Sequence, residues 1–386
     1  MPVAASLTRS RGDACPGVLT VHPAADGALA RVRLPGGLVS AAQFGALAAA
    51  ARHYGPGGVE LTSRGNVQLR GLAPGAEVEL GGQLAAAGLL PSATHERVRN
   101  IVASPLAGID RDSDLSATVV ALDRALCARP RLAELPGRFL FALDDGRNDV
   151  GRLGADVLLQ AGEQGWVAVG GLGVDSADAV EAMLAFAAAF LDERAAQGSL
   201  AWRVGELDDG PAAVRRRVLA AMSGARVLPG RPLPPPAREP AGVLEQHDGG
   251  RALAALAPLG RLTAGQLDAL AGHTGARGAR ITPWRSVVLP DVADAPAAAR
   301  ELEALGLGVG PASPWYRVSA CTGRPGCDRG LADVQADAGA EVRTAPRWSG
   351  RQVHWSGCAR RCGRPPDTEV DVVATGSGYE IAMGAP

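Results

Sequence analysis

Four cysteines carry the most legible chemistry in this chain. Cys321 and Cys327 have five residues between them, and Cys358 and Cys362 have three. Thiolates are soft metal ligands, and two close pairs on two loops can converge on one small volume with little ordering of the chain. Their neighbours suit an iron–sulfur cluster. Gly323, Gly326, Gly357 and Gly363 let backbone approach inorganic sulfide and hydrogen-bond it, while Pro325 and Pro365 stiffen the loops. The rival ligand is a structural zinc ion, but zinc pairs are usually about two to four residues apart, which suits only the second pair. Four unrelated thiols in the core are the blander alternative. The other two cysteines, Cys15 and Cys127, read as inert thiols, Cys127 on the apolar side of a helix.

The elements that must position these ligands come from a duplicated chain. Pro35–Ala48 (PGGLVSAAQFGALA) matches Pro258–Ala271 (PLGRLTAGQLDALA), and Leu61–Leu69 (LTSRGNVQL) matches Ile281–Leu289 (ITPWRSVVL). Arg99–Ala103 falls opposite Arg317–Cys321, so the order is kept over most of each half. Two related halves place a site between them. Alternation predicts a strand over Ala28–Leu34, and Ser40 predicts the N-cap of a helix running through His53 to a stop at Gly55. Val59–Leu69 reads as one returning strand. Helical spacing marks Ser116–Ala128 and Ala179–Ala195, and strands are expected over Arg138–Leu143, Ala155–Leu159 and Val167–Val169. The prolines of Val227–Pro240 predict a stiff linker. The class is α+β.

Composition bounds the rest. The 386 residues suggest two or three domain-sized units, and 47% hydrophobic with 20% charged residues fits a globular protein. Lys plus Arg total 39 against 40 Asp plus Glu, so no overall field argues for nucleic acid. The sequence contains no lysine, so any bound anion must be held by guanidinium forks, which suit carboxylates. No apolar h-region opens the chain, and the strongly apolar run Ala182–Leu191 is too short to span a bilayer, so the expected location is the cytoplasm. Clustered cysteines fit that reducing setting. Gly170-Gly171-Leu172-Gly173 lacks a dinucleotide fingerprint, so a pyridine nucleotide is not expected to bind this chain. His354 aligns with Phe141 when GRQVH is paired with GRFLF, which predicts an ordinary strand position. His22, His53, His95, His247 and His273 show no metal-triad spacing.

CTGRPGC and SGCARRCGRP resemble the paired cluster motifs of the siroheme-dependent sulfite and nitrite reductases, C-x5-C followed by SGC-x3-CG. LTSRGNVQLRG (Leu61–Gly71) is similar to that family's anion-site strand, and RNIVASPLAGID (Arg99–Asp110) to the loop after it. The resemblance covers about residues 15–385, with four motifs in the family's order. It implies the duplicated nitrite/sulfite reductase fold: two ferredoxin-like half-modules (15–75 and 242–295), two α/β modules (85–225 and a cluster-binding 305–385), a linker at 226–241, and pseudo-twofold symmetry. Where the reductases place two lysines on the strand matching Leu135–Ala142, this chain has Arg138 and Leu140. Losing a cation disfavours a small, highly charged anion. The opening Asp13–Gly37 and the segment Thr282–Leu289 look instead like the precorrin-3B synthases, a family of the aerobic cobalamin pathway.

That resemblance implies a [4Fe-4S] cluster on Cys321, Cys327, Cys358 and Cys362, with Cys362 nearest the substrate face. It implies a monooxygenase that takes precorrin-3A and O2 to precorrin-3B, by ring-bridge hydroxylation and lactone closure. Electrons would come from an external donor, a ferredoxin or an NAD(P)H-dependent reductase. Whether O2 meets the cluster, an additional mononuclear iron or the substrate itself stays open. The pocket it implies is formed by Arg64, Arg70, Arg99, Asn100, Arg138 and Arg285, with Arg64, Arg99 and Arg138 at the reacting centre; Arg285 is the second-half counterpart of Gly65. A sulfite or nitrite reductase carrying siroheme is the alternative, and a zinc-stabilised tetrapyrrole-binding protein is the non-catalytic one.

Overall fold

Residues 38 and 39 leave their own half of the chain to pair with the other half. In the computed structural model, which describes residues 9, 12–161, 166–228, 239–344, 347–348 and 350–384, the strand Leu38–Val39 lies against Ala279–Ile281. In return Arg261–Thr263 pairs with Gly58–Leu61. Each half therefore contributes an edge strand to the other's antiparallel sheet. The first has the order His22–Ala24, Gly27–Val32, Val67–Leu72, Gly58–Leu61, Arg261–Thr263, and the second Gly242–Glu245, Arg251–Leu256, Ser286–Leu289, Ala279–Ile281, Leu38–Val39. The exchange closes edges that would otherwise expose unpaired backbone.

The duplication persists in atomic detail. Ser40 caps the helix Ala41–Tyr54 in a reciprocal capping box with Gln43, and Thr263 does the same with Gln266 for Ala264–Gly272. These two helices pack together. Phe44, Leu47 and Leu69 of one half share a core with Leu253, Leu267 and Leu289 of the other. Gly37 comes so close to Ile281 that an added Cβ would lie 2.0 Å from its carbonyl oxygen, which leaves glycine as the residue that fits there.

Two α/β modules flank this pair, and they share a pattern. In one, the strands Ile101–Ala103, Phe141–Asp144 and Val157–Gln160 run parallel and Trp166–Val169 runs antiparallel. In the other, Val318–Ala320, Val353–Ser356 and Val370–Thr375 run parallel, with Gly378–Met383 antiparallel. Helices Ser116–Cys127 and Val334–Thr344 occupy corresponding places in sequence. The first module has a large core that includes Phe139, Phe141 and Phe190. The core of the second is small, built on Val334, Val353, Trp355, Val370 and Val372.

Two expectations need correction. Val59–Leu69 is a hairpin, Gly58–Leu61 and Val67–Leu72, rather than one strand. Its turn forms because Gly65 takes a φ of 65° while the Thr62 hydroxyl accepts from the Arg64 and Asn66 amides. The strand expected from Arg138 begins at Phe141, which leaves Arg138 free in the approach to it. Of the proline-rich segment, residues 229–238 lie outside the described residues. Among the described residues no helix is long and apolar enough to cross a membrane.

Candidate functional site

Parallel neighbours end on the same edge of a sheet, where loops gather into sites. Val318–Ala320 and Val353–Ser356 are such neighbours, with Ala320 opposite Trp355. The loops after them, one bearing Cys321 and Cys327 and the other Cys358 and Cys362, therefore leave together. Cys321 N donates to Trp355 O at 2.9 Å, and Gly357 N donates to Cys321 Sγ at 3.1 Å. A Cβ on Gly357 would lie 3.1 Å from Gly323 Cα and 3.5 Å from Cys321 Sγ. The loops thus meet backbone to backbone. Burial raises the Cys321 thiol above its ordinary range; the Gly357 and Gly323 amides oppose this, and the Cys362 and Cys358 sulfurs add to it. Cys321, Cys327 and Cys358 are half-buried, and Cys362 is exposed.

The donor set can be tested against both metal readings. With Zn–S near 2.3 Å, tetrahedral geometry puts sulfurs about 3.8 Å apart. Among the described residues no three cysteine sulfurs lie within 4.8 Å of one another. A cube gives each thiolate its own iron and accepts wider spacing, so the residues fit a cluster better than a single ion. The matching loops of the first module hold no cysteine. There Ser104 bonds Asp149, and Arg147 forks onto Asp145 and Asp110, with Nη1 and Nη2 at 2.8 and 2.6 Å from the Asp110 oxygens. Salt bridges close that edge of the first module.

Beside the hairpin turn lies a cavity of about 500 Å³ whose lining includes Asp13, Cys15, Arg31, Arg33, Arg64 and Arg138. Arg33 is only 3% exposed. Its Nη1 donates to Asn100 Oδ1 at 3.1 Å and its Nη2 to Gly137 O at 3.0 Å, and its Nε has no hydrogen-bond partner among the described residues. Burial pushes this guanidinium down to about 9, which leaves it a cation at neutral pH. Arg64 donates to the Arg138 carbonyl at 3.3 Å and is lowered by burial, then by Arg203 and Arg138. Arg138 stands 5.5 Å over the Trp202 ring. The carboxylate among these linings, Asp13, already accepts from the Gly137 and Cys15 amides. Four guanidiniums against one engaged carboxylate give this cavity a net positive lining.

Ser63 lines both this cavity and a second one of about 370 Å³, which is bounded by Trp284, Arg285, Tyr316, Ser319 and Gly363 among others. Gly363 follows Cys362, so the second cysteine loop forms part of the cleft wall. Arg285 has a φ of 67°, matching the 65° of its counterpart Gly65. A side chain in this conformation stores strain of about 1 kcal/mol or more, and a Cβ on Gly260 would lie 2.5 Å from Arg285 Cδ. Glycine at 260 thus makes room for Arg285.

The Nitrite/Sulfite reductase ferredoxin-like half domain family matches residues 22–86 and 244–305, one segment in each half. A precorrin-3B synthase from Sinorhizobium sp. is 30% identical over 98% of this chain and 84% of its own length. The chain belongs to the precorrin-3B synthase family of nitrite/sulfite reductase-like proteins. A ferredoxin–nitrite reductase of Synechococcus elongatus is 27% identical over 89% of the chain and 76% of the relative. The Mycobacterium tuberculosis NirA structure superposes with a TM-score of 0.74 at 23% identity, over 92% of this chain and 74% of that one, so the fold is shared.

Within this family member, the six expected pocket residues divide. Arg64, Arg138 and Arg285 line the cleft. Arg70 does not reach it: Nε and Nη2 fork onto Asp26 at 3.1 and 3.0 Å, and Nη2 also donates to Gly326 O at 2.6 Å, clamping the first cysteine loop to the hairpin. Arg99 is engaged by both Asp123 oxygens at 2.7 Å and is 4% exposed. Asn100, fully buried, accepts from Arg33 and donates to Phe139 O at 3.0 Å. It positions Arg33 from behind. Substitution of Arg99 is therefore expected to act on stability: Arg99→Ala should cost about 3 kcal/mol by stranding Asp123, read as a lower denaturation midpoint with ligand affinity unchanged in the folded fraction.

Arg31 and Arg33 were missed by sequence reasoning. The signal available was alternation along Ala28–Leu34, which puts Arg31 and Arg33 on the strand face opposite Ala30 and Val32. His354 sits inside Val353–Ser356 as expected. It is fully buried, its Nδ1 lies 2.8 Å from Ser319 Oγ, and burial pushes it down to about 4, so its ring is neutral.

Proposed function

We propose that this chain is a precorrin-3A monooxygenase that forms precorrin-3B with O2 and two electrons from an external donor. The single observation that carries the reading is the meeting of an arginine-lined cleft with the second cysteine loop at Gly363, next to Cys362. A macrocycle edged with acetates and propionates needs several guanidiniums and one redox-active wall, and this cleft offers both. Cys321, Cys327, Cys358 and Cys362 would hold a [4Fe-4S] cluster, which supplies electrons one at a time when bound. Arg31, Arg33, Arg64 and Arg138 neutralise carboxylates on one side of the substrate, and Arg285 takes another. Trp284 and Trp202 give apolar faces to the ring system. Leu140, fully buried against Val102, Ala142 and Val150, adds no cation for a small oxyanion.

The test is incubation of anaerobically purified protein with precorrin-3A, O2 and a reducing system. The expected product is precorrin-3B with one oxygen atom from O2, from a brown protein without siroheme bands. Siroheme absorption together with sulfite or nitrite turnover would overturn the reading.

Arg285 yields a separable prediction. Arg285→Gly relieves the left-handed strain while raising the entropy of the unfolded chain, so stability should stay within about 1 kcal/mol of the parent. Binding of precorrin-3A should weaken, as a titration of the variant would measure.

A further inference from the structure

Glu239 stands on the same cleft as Trp284, Arg285 and Tyr316. Its Oε1 is buried and has no hydrogen-bond partner among the described residues. The Ser286 hydroxyl stands near enough to act on it, yet that hydroxyl is shared with Thr282 Oγ1 at 2.7 Å. Arg285 does not offset it either, since the carboxylate that acts on Arg285 is Glu60. A carboxyl buried without a cation keeps its proton, and burial pushes this one up to about 8. An acid that is neutral at pH 7, lines a ligand cavity and has a carboxyl oxygen not engaged by a hydrogen bond among the described residues is suited to deliver a proton.

The other ionisable groups on this cleft cannot serve as well. Arg285 and Arg317 offer guanidiniums, which serve as charge and hydrogen-bond partners and not as acids. The Tyr316 hydroxyl, pushed up by burial and then by Glu239, donates to Pro240 O at 3.5 Å. Asp367 is exposed at the rim.

We propose that Glu239 is the proton donor of the oxygen chemistry in this cleft. The inference rests on the monooxygenase reading given above. In that reaction one atom of O2 becomes a hydroxyl on the ring bridge, and an acetate carboxyl adds across the same double bond as the lactone, its proton going to the new hydroxyl. The second oxygen leaves as water, having taken two electrons from the external reductant and two protons. Glu239 supplies one of these protons, becomes a carboxylate and is reprotonated from solvent; the second proton comes from solvent.

Glu239→Gln keeps the shape and the hydrogen-bonding capacity and removes the transferable proton. With precorrin-3A as probe, binding should change little while kcat falls about 10²- to 10⁴-fold. The parent rate should decline above about pH 8, the value set by burial, and E239Q should lack that decline. Infrared difference spectra of the holoprotein supply a readout besides activity: a protonated-carboxyl band that titrates near pH 8 in the parent and is absent from E239Q. An active parent whose E239Q variant keeps its rate and its alkaline decline overturns the inference, as does a parent lacking the carboxyl band at neutral pH. A parent inert toward precorrin-3A overturns the functional reading itself, and this assignment with it.

Discussion

Cys358→Ser and Cys321→Ser proteins are expected to emerge from anaerobic purification colourless, without iron or acid-labile sulfide, and with residues 305–385 open to protease. The expectation follows from how little else binds that module together. Its core rests on a few side chains, chiefly Val334, Val353, Trp355, Val370 and Val372, against the much larger core of the first module. Two hydrogen bonds, Cys321 N to Trp355 O and Gly357 N to Cys321 Sγ, tie the start of the first cysteine loop to the strand and loop that carry the second pair. Ligation that gathers such loops contributes directly to folding, and its loss ranks among the largest single-residue effects, about 4 kcal/mol or more. Iron and sulfide analysis with limited proteolysis checks both halves of the statement. Retention of iron in either variant would remove that thiolate from the ligand set.

Arg33→Met is expected to abolish tight tetrapyrrole binding without harming the empty protein. Among the described residues Arg33 is a buried cation that forms no salt bridge and whose Nε has no hydrogen-bond partner. Such a charge costs stability until an anion arrives. Methionine fills similar space, so the thermal midpoint of the ligand-free protein should hold or rise, the relief of charge offsetting hydrogen bonds lost at Asn100 and Gly137. Affinity for a carboxylate-bearing macrocycle should fall by about 3 kcal/mol, roughly 100-fold. Calorimetric titration beside a melting curve measures the two opposed changes. The pH dependence has a defined sign. The guanidinium is depressed to about 9 in the folded protein and keeps its ordinary, higher value when unfolded. The unfolded chain therefore binds more protons above about 9, so the burial cost is fully present below about 9 and is relieved as pH rises above it.

Stability opposed to binding at Arg33 also explains why it escaped the sequence reading. Arg31 and Arg33 look like ordinary polar positions of an alternating strand; only the packing of residues 100 and 137 against that strand turns one of them into a buried, unpaired cation. Arg70 and Arg99 show the converse. Both stood within recognisable motifs, yet each is engaged by a carboxylate, Asp26 or Asp123, far away in sequence. A motif marks that an arginine is needed; it does not say whether a ligand or a protein carboxylate needs it.

Local rules carried further wherever the determinant was itself local. Capping boxes at Ser40 and Thr263, the cysteine spacing, and the left-handed turn shared by Gly65 and Arg285 are short-range geometry, and the chain alone determined them. The duplication was also legible, because repeated residues rebuild repeated turns. Tertiary structure alone decided that Leu38–Val39 and Arg261–Thr263 would be exchanged between halves, which guanidiniums would be left without a salt bridge among the described residues, and that Glu239 Oε1 would be buried without a hydrogen-bond partner among them. Those outcomes depend on which groups long-range packing removes from water, a quantity that no run of neighbouring residues contains.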